Sequence, residues 1–252
     1  MGRTDETGKR EQEMTLLIEL TAASSNLPSY LAAYDTNFSY NDNGWFSRSF
    51  SSGQDQWSAG FDTEGVDNNI PSVIMEIDDY SYSPGLFNGD VISLTLGRNL
   101  EYDAGQDLWV QDQELIITNE SGYMPDTTTF AYAIYSLSHG GAVDGLGTFP
   151  GLTDYFAEQG TIQVGNLGLN DTLLGFGGDD TFVFQDGSAF DTVNSFDLAA
   201  DVLDVSAWGA TGLGDVTIAT VGSDTYVSSS DFTDIIKVTG VTGLTATNFD
   251  FA

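Results

Sequence analysis

Cysteine is absent from the 252 residues, and histidine occurs once. The first absence excludes disulfides and thiolate metal sites. The second excludes a HExxH zinc centre and any multi-histidine metal site. Basic side chains are nearly as scarce: six Lys and Arg stand against 38 Asp and Glu, a formal charge of −32. Arg3, Lys9 and Arg10 crowd the start, and only Arg48, Arg98 and Lys237 follow. So acidic a surface repels phosphate backbones and anionic lipid, which argues against nucleic-acid and membrane partners, and it attracts divalent cations. A plainer reading of the same charge is a soluble, salt-tolerant surface. No apolar run reaches transmembrane length, so no membrane insertion is expected. No basic flank with an apolar core of signal-peptide length is present either. The chain is expected either to stay in the cytosol or to be exported on some other signal. There is no GxSxG elbow, no P-loop and no GxGxxG after a strand, so no catalytic constellation converges and the chain is not expected to be an enzyme.

What is present belongs to a folded protein: hydrophobic content is 40% and aromatic content 12%, enough to bury a core in one large or two small domains. Residues 1–13 are polar, charged and without apolar periodicity, and are expected to form a disordered leader, with Met14 a candidate true start. Residues 15–20 are strand-like. Residues 27–34 (LPSYLAAY) predict a short helix with Asn26 as N-cap and Pro28 in the first turn. A polar and aromatic stretch over 37–69 holds Trp45, Phe46, Phe50, Trp57 and Phe61 and reads as a long functional loop. Strands joined by short turns are expected over 72–77, 90–96, 107–110 and 114–118, an antiparallel meander. Residues 130–137 fit strand or helix, and 152–159 predict a helix. A boundary is expected near 160–165, after which Gly-, Asp- and Thr-rich sequence carries short β-like runs over 181–184, 202–205, 216–219, 225–227 and 235–238.

Internal repetition marks that second half. Residues 166–174 read NLGLNDTLL and 175–183 read GFGGDDTFV, so that Asp171 recurs at Asp180, Thr172 at Thr181 and Leu173 at Phe182. Calcium takes about six to eight oxygens from carboxylates and carbonyls. Glycines at turns let carbonyls face an ion while aspartates supply charge. Asp171, Asp179 and Asp180 with the turn glycines Gly168 and Gly177 are therefore candidate calcium ligands, and Leu173 and Phe182 are expected to stack inward. The alternative is an Asp/Gly-rich hairpin without metal. The repeat resembles the RTX nonapeptide, although Asn166, Leu167 and Phe176 stand where that pattern prefers Gly. Residues 182–206 are similar to the β-rich region that follows such repeats, and the ending LTATNFDFA is similar to uncleaved C-terminal signals of type I secretion. Over residues 165–252 the resemblance implies export by type I secretion machinery as an unfolded chain, calcium-driven folding outside the cell and an extracellular location.

Residues 14–160 resemble the HasA-type haemophore family. The points of likeness are 14–20 with Tyr30-Leu31-Ala32; the segment IDDYSYSP over 77–84; GDVISLTLG over 89–97; Asp112-Gln113-Glu114-Leu115 with Thr118-Asn119; Tyr135-Ser136-Leu137; and 153–160. The resemblance implies haem as cofactor, with its iron ligated by a tyrosine of the IDDYSYSP segment, and delivery to an outer-membrane haem receptor. Tyr80 is the first choice as ligand and Tyr82 the substitute; two apart on an extended segment, both are expected on one side. A free phenol ionises only near about pH 10, so iron and a neighbouring base must lower that value. The family's histidine beside the tyrosine is missing, and Asp78 and Asp79 are the available acceptors. The family's second ligand, a histidine after the first helix, falls near Asn43. That leaves tyrosine-only ligation, His139 serving from another direction, or no haem. His139 lines the pocket or sits on the surface. Arg48 pairs with a haem propionate or with an ordinary surface acid. Trp45, Phe46 and Phe50 cover a flat ring or anchor the core.

Taken together, these features predict an α+β fold: a curved antiparallel sheet with helices on one face over 14–160, then a small all-β, β-roll-like module over 165–252. The predicted role is extracellular haem capture. The rival is a calcium-binding RTX-type structural or adhesive secreted protein without haem.

Overall fold

The computed structural model describes residues 15–38, 44–48, 54–61, 69–83, 86–141 and 143–252; within them, the side chains of Phe46, Arg48, 54–55, 79–83 and 86–88 lie outside the description. The leader expected over 1–13, Met14 and Asn43 lie outside the described residues. In chain order the elements are β1 (Leu16–Leu20), α1 (Leu27–Asn37), β2 (Trp45–Arg48), β3 (Gln54–Ala59), β4 (Pro71–Ser83), β5 (Leu86–Asp103), β6 (Leu108–Asn119), α2 (Thr128–Ser138) and α3 (Leu152–Gln159). There follow β7 (Thr161–Val164), β8 (Thr172–Leu174), β9 (Asp180–Val183), β10 (Phe190–Asn194), β11 (Val202–Asp204), β12 (Thr217–Val221), β13 (Asp224–Ser228), β14 (Ile235–Val238) and β15 (Phe249–Asp250). The fold is α+β.

Local sequence explains most of these elements. Helix α1 begins where Asn26 accepts the Ser29 N–H at 3.0 Å and Pro28 occupies the first turn. Its apolar positions Leu27, Tyr30, Leu31 and Tyr34 recur at helical spacing and are all buried. The ambiguous 130–137 run is helical: Thr127 caps the Phe130 N–H, and Phe130, Ala133, Ile134 and Leu137 form one buried stripe. The stretch read as a long loop over 37–69 departs from expectation. It contains β2 and β3, which pair antiparallel with each other, and β3 pairs on to β4. Alternating Gln56, Trp57 and Ser58 hide the period because polar side chains on the second face are buried as well: Gln56 exchanges hydrogen bonds with the Trp109 backbone at 2.8 and 3.0 Å. The meander strands are also longer than expected. Residues 108–110 and 114–118 belong to a single strand, β6, bent by register shifts against β5, and Asp107 lies in the turn before it.

Two sheets result. The larger has ten strands in the order β15-β11-β9-β7-β1-β6-β5-β4-β3-β2; the smaller has five, β12-β13-β14-β10-β8. Strand β1 is the seam, running antiparallel to β6 on one side and parallel to β7 on the other. From β7 to β11 successive strands alternate between the two sheets, and all pairs among β7, β9, β11 and β15 are parallel. The chain thus winds as a two-sheeted roll, interrupted by the β12–β13 hairpin. Each coil advances by about two repeats: Thr161 pairs with Asp180, Thr172 with Thr192 and Thr181 with Val202. Leu173 and Phe182 are fully buried, as the repeat predicts. One continuous core runs from Leu16, Val73 and Phe130 through Tyr155 to Leu173, Phe182, Val193 and Phe249, so burial does not stop at 160–165. A small second cluster, Ile74, Leu100 and Trp109 with Trp45 against it, packs on the opposite sheet face. Among the described residues, no helix is long and apolar enough to cross a membrane.

Candidate functional site

The tyrosine segment lies in the outer part of the β4–β5 hairpin. Asp78 pairs with Asp90 and Ser81 with Asn88, so Asp79 and Tyr80 together oppose Gly89 alone. This is a β-bulge, with Tyr80 inside it; pairing resumes at Ser81 and continues through Tyr82, opposite Phe87. Bulges interrupt the ladder and redirect the strand, and they concentrate next to functional sites. The expectation that Tyr80 and Tyr82 share a side rested on regular alternation, which a bulge between Asp78 and Ser81 breaks; their side chains lie outside the described residues.

At the base of this segment the structure adds a residue that sequence reasoning missed. Tyr123, 45% exposed, donates its Oη to Asp78 Oδ2 at 3.1 Å. The next residue, Met124, bridges to Val91 on the neighbouring strand, its N–H reaching the Val91 carbonyl at 2.8 Å. Asp78 therefore already accepts from one phenol. That bond occupies Oδ2 alone, so both Asp78 and Asp79 stand as acceptors beside the tyrosine segment.

His139 is the C-cap of α2. Its ring lies flat on Tyr135, with centroids 4.0 Å apart, and Nδ1 sits 2.9 Å from the Tyr135 carbonyl and 2.8 Å from Ser138 Oγ. The half-buried ring belongs to an aromatic group in which Phe149 packs on both Tyr132 and Tyr135. The following loop is tied back to α1: Asp35 Oδ1 accepts the Val143 and Asp144 N–H groups at 2.7 and 3.1 Å. Burial, with Asp144 close by, pushes the Asp35 carboxyl up to about 6. Trp45 is a sheet residue, stacked on Trp109 at 4.4 Å in the second cluster, and Trp57 is in the main core. Of the aromatics expected to cover a ring or anchor the core, Trp45 is thus packed in this cluster, and Phe50 lies outside the described residues. Arg48 stands in β2 opposite Asp55, its side chain outside the description.

The expected calcium ligands are not brought together. Asp171 leads into β8 of the smaller sheet, whereas Asp180 opens β9 of the larger one. Gly168 and Gly177 do adopt the left-handed backbone expected of turn glycines, at φ 71° and 99°, and Asp179 is exposed. The two buried carboxylates, however, are turned to N–H donors. Asp180 accepts from Thr161 N at 2.9 Å, Thr161 Oγ1 at 2.6 Å and Phe176 N at 2.7 Å. Asp171 accepts from the backbone and side-chain amides of Asn166. Donor hydrogens face the oxygens of both buried carboxylates, and among the described residues no group of three or more acidic, His or Cys side chains is placed to hold a metal. These contacts lend no support to a calcium site.

Those aspartates instead join two inward-facing ladders. Asp191 Oδ1 accepts the Asp171 N–H at 2.8 Å, and Asp234 accepts from Gly187 and Ala189 in the coil above. In the second ladder Asp201 accepts from Asp180 N at 3.0 Å and from Asp197 N at 2.8 Å. Asp171, Asp180, Asp191, Asp201 and Asp234 are each no more than 2% exposed. Burial raises the Asp191 carboxyl to about 7, with the charges of Asp171 and Asp234 adding to it, and raises Asp201 to about 6. The signal was in the sequence: Asp191 and Asp201 follow Asp171 and Asp180 by about one coil.

No family model matches the chain, and no curated protein matches it. Among solved structures, similarity is found to two apo structures of the hemophore HasA from Yersinia pestis. The hexagonal form is 18% identical, covering 51% of this chain and 84% of that one at a TM-score of 0.35. The tetragonal form is 19% identical, covering 51% and 82% at a TM-score of 0.36.

Proposed function

We propose that this protein is an extracellular haem-binding protein, not an enzyme, that captures ferric haem through a tyrosine of residues 79–82 and delivers it to an outer-membrane receptor after export by type I machinery. One observation carries the reading: Tyr80 stands in a two-for-one bulge of the β4–β5 hairpin, with Asp78 bonded to Tyr123 at its base. A bulge frees a side chain from the ladder's alternation, and a phenolate oxygen is a fitting donor to ferric iron. Asp79 is the proton acceptor nearest in sequence to Tyr80, and Arg48 is the candidate partner for a propionate. His139 is the candidate second ligand through Nε2, with Nδ1 held by the Tyr135 carbonyl.

Titration with ferric haem tests this by the Soret band. The expected result is a saturable shift that Tyr80→Phe abolishes and Tyr82→Phe leaves. A shift lost only in Tyr82→Phe moves the ligand along the strand, and no shift overturns haem capture. The second reading, a secreted structural or adhesive protein without haem, is favoured by the single histidine of the sequence, which leaves no imidazole within residues 77–84 or near Asn43.

A further inference from the structure

The two sheets end differently at their edges. In the smaller sheet β8 is short, and its outer side is covered: Thr172 bridges to Asn26, and its N–H donates to the Ser25 carbonyl at 2.7 Å. Among the described residues the opposite edge, β12, is open. All five of its residues are exposed, Ile218 at 37% and Val221 at 63%, and it pairs only with β13. Its sequence, TIATV, contains no charge, no proline and no lysine, the usual devices that protect an edge. The Gly222-Ser223 turn, with only Gly222 at positive φ, closes a two-residue hairpin. In that register Thr217, Ala219 and Val221 bond to β13, while Ile218 and Thr220 direct N–H and C=O outward.

A cleft of about 380 Å³ lies at the Thr217 end of this edge, lined by Trp208, Ala210, Asp215, Val216, Thr217 and Ser230. Its aromatic wall is fixed, because Trp208 Nε1 donates to the Gln185 carbonyl at 3.3 Å. Its acid is exposed and ionised: Asp215 Oδ2 accepts from Thr211 N and Oγ1 at 2.9 and 2.8 Å, which lowers its carboxyl below the ordinary range. The one basic side chain in this sheet, Lys237, is committed to Asp224 at 3.0 Å.

We propose that the β12 edge and the adjoining Trp208–Asp215 cleft form a docking site for an extended peptide bearing a lysine or arginine. The peptide adds as a sixth strand, its backbone bonding Ile218 and Thr220, and its basic side chain enters the cleft over the indole to meet Asp215. Charge chooses this occupant over a second copy of the chain: at −32 each, two copies repel, whereas a cation is drawn in.

The test uses the full chain and a capped hexapeptide, Val-Thr-Lys-Thr-Val-Thr, followed by amide NMR. The expected result is saturable shifts at Ile218, Thr220 and the Trp208 indole that weaken between low and physiological salt. Affinity falls about fivefold in Asp215→Asn and about tenfold or more when Glu replaces the peptide's Lys. Thr220→Pro, which removes an outward N–H on an edge strand, abolishes binding while leaving the rest of the spectrum in place. If that variant unfolds, the Lys and Glu peptides on the unaltered chain still decide. Equal affinity for both peptides, no saturable shift at millimolar peptide, or a mass that doubles as salt rises overturns the proposal.

Discussion

Raising the pH should destabilise this protein, and Asp191 should account for much of the slope. In the folded chain its carboxyl holds a proton up to about 7, because burial between Asp171 and Asp234 penalises the charge. Unfolded, an aspartate releases its proton near about 3.9. Between those values the folded state binds more protons than the unfolded one, so unfolding free energy falls as pH rises. The contribution is complete below the unfolded value and lost once the folded group ionises. A shift of about three units corresponds to about 4 kcal/mol at most, at about 1.4 kcal/mol per unit. For a chain of this size that is on the order of 10 °C in Tm. The assay is thermal unfolding at pH 5 and pH 8 in 0.5 M salt, which screens the acidic surface more than the buried ladder. Asp191→Asn keeps an oxygen for the Asp171 N–H and loses the ionisable group, so the variant should melt higher at pH 8 and show a flatter pH profile. A Tm that climbs with pH, or an unchanged slope in Asp191→Asn, refutes the reasoning.

Other outcomes follow from the same geometry. Phe182→Ala empties a fully buried site in the roll and should cost roughly 3–5 kcal/mol, read as a lower urea midpoint. Asn26→Ala removes the α1 cap and should cost about 1 kcal/mol by the same measurement. Millimolar calcium should leave both the circular dichroism and the Tm unchanged, because the ladder carboxylates already face N–H donors; a Tm rise that Asp180→Asn removes would contradict that placement.

Regular periodicity is legible in the sequence alone. The LPSYLAAY helix, the α3 segment and the inward Leu173 and Phe182 all follow from spacing, since one face of each element is apolar and the other is not. Beyond that rule, legibility fails for identifiable reasons. Strands β2 and β3 bury Gln56 and Ser58 as well as Trp57, so no polar face marks them. The bulge at Asp79–Tyr80 depends on the partner strand's register, which no local pattern encodes. The direction an aspartate takes is a further case. An Asp at a turn points outward to a cation or inward to a backbone amide according to where the next coil lies. Tyr123 is linked to Asp78 only through the fold.

Strand β1 has one further consequence. Its Leu16 pairs with Asn119 on one flank and with Thr161 on the other, about 145 positions downstream. A ribosome that has released only the first hundred residues has delivered neither neighbour. Contacts of such long sequence separation form slowly, because the loop must close before any bond rewards it. The β2–β6 meander and the β1–β6 pairing can form earlier, but the β7 flank of the seam strand closes only once residues 161–164 have emerged.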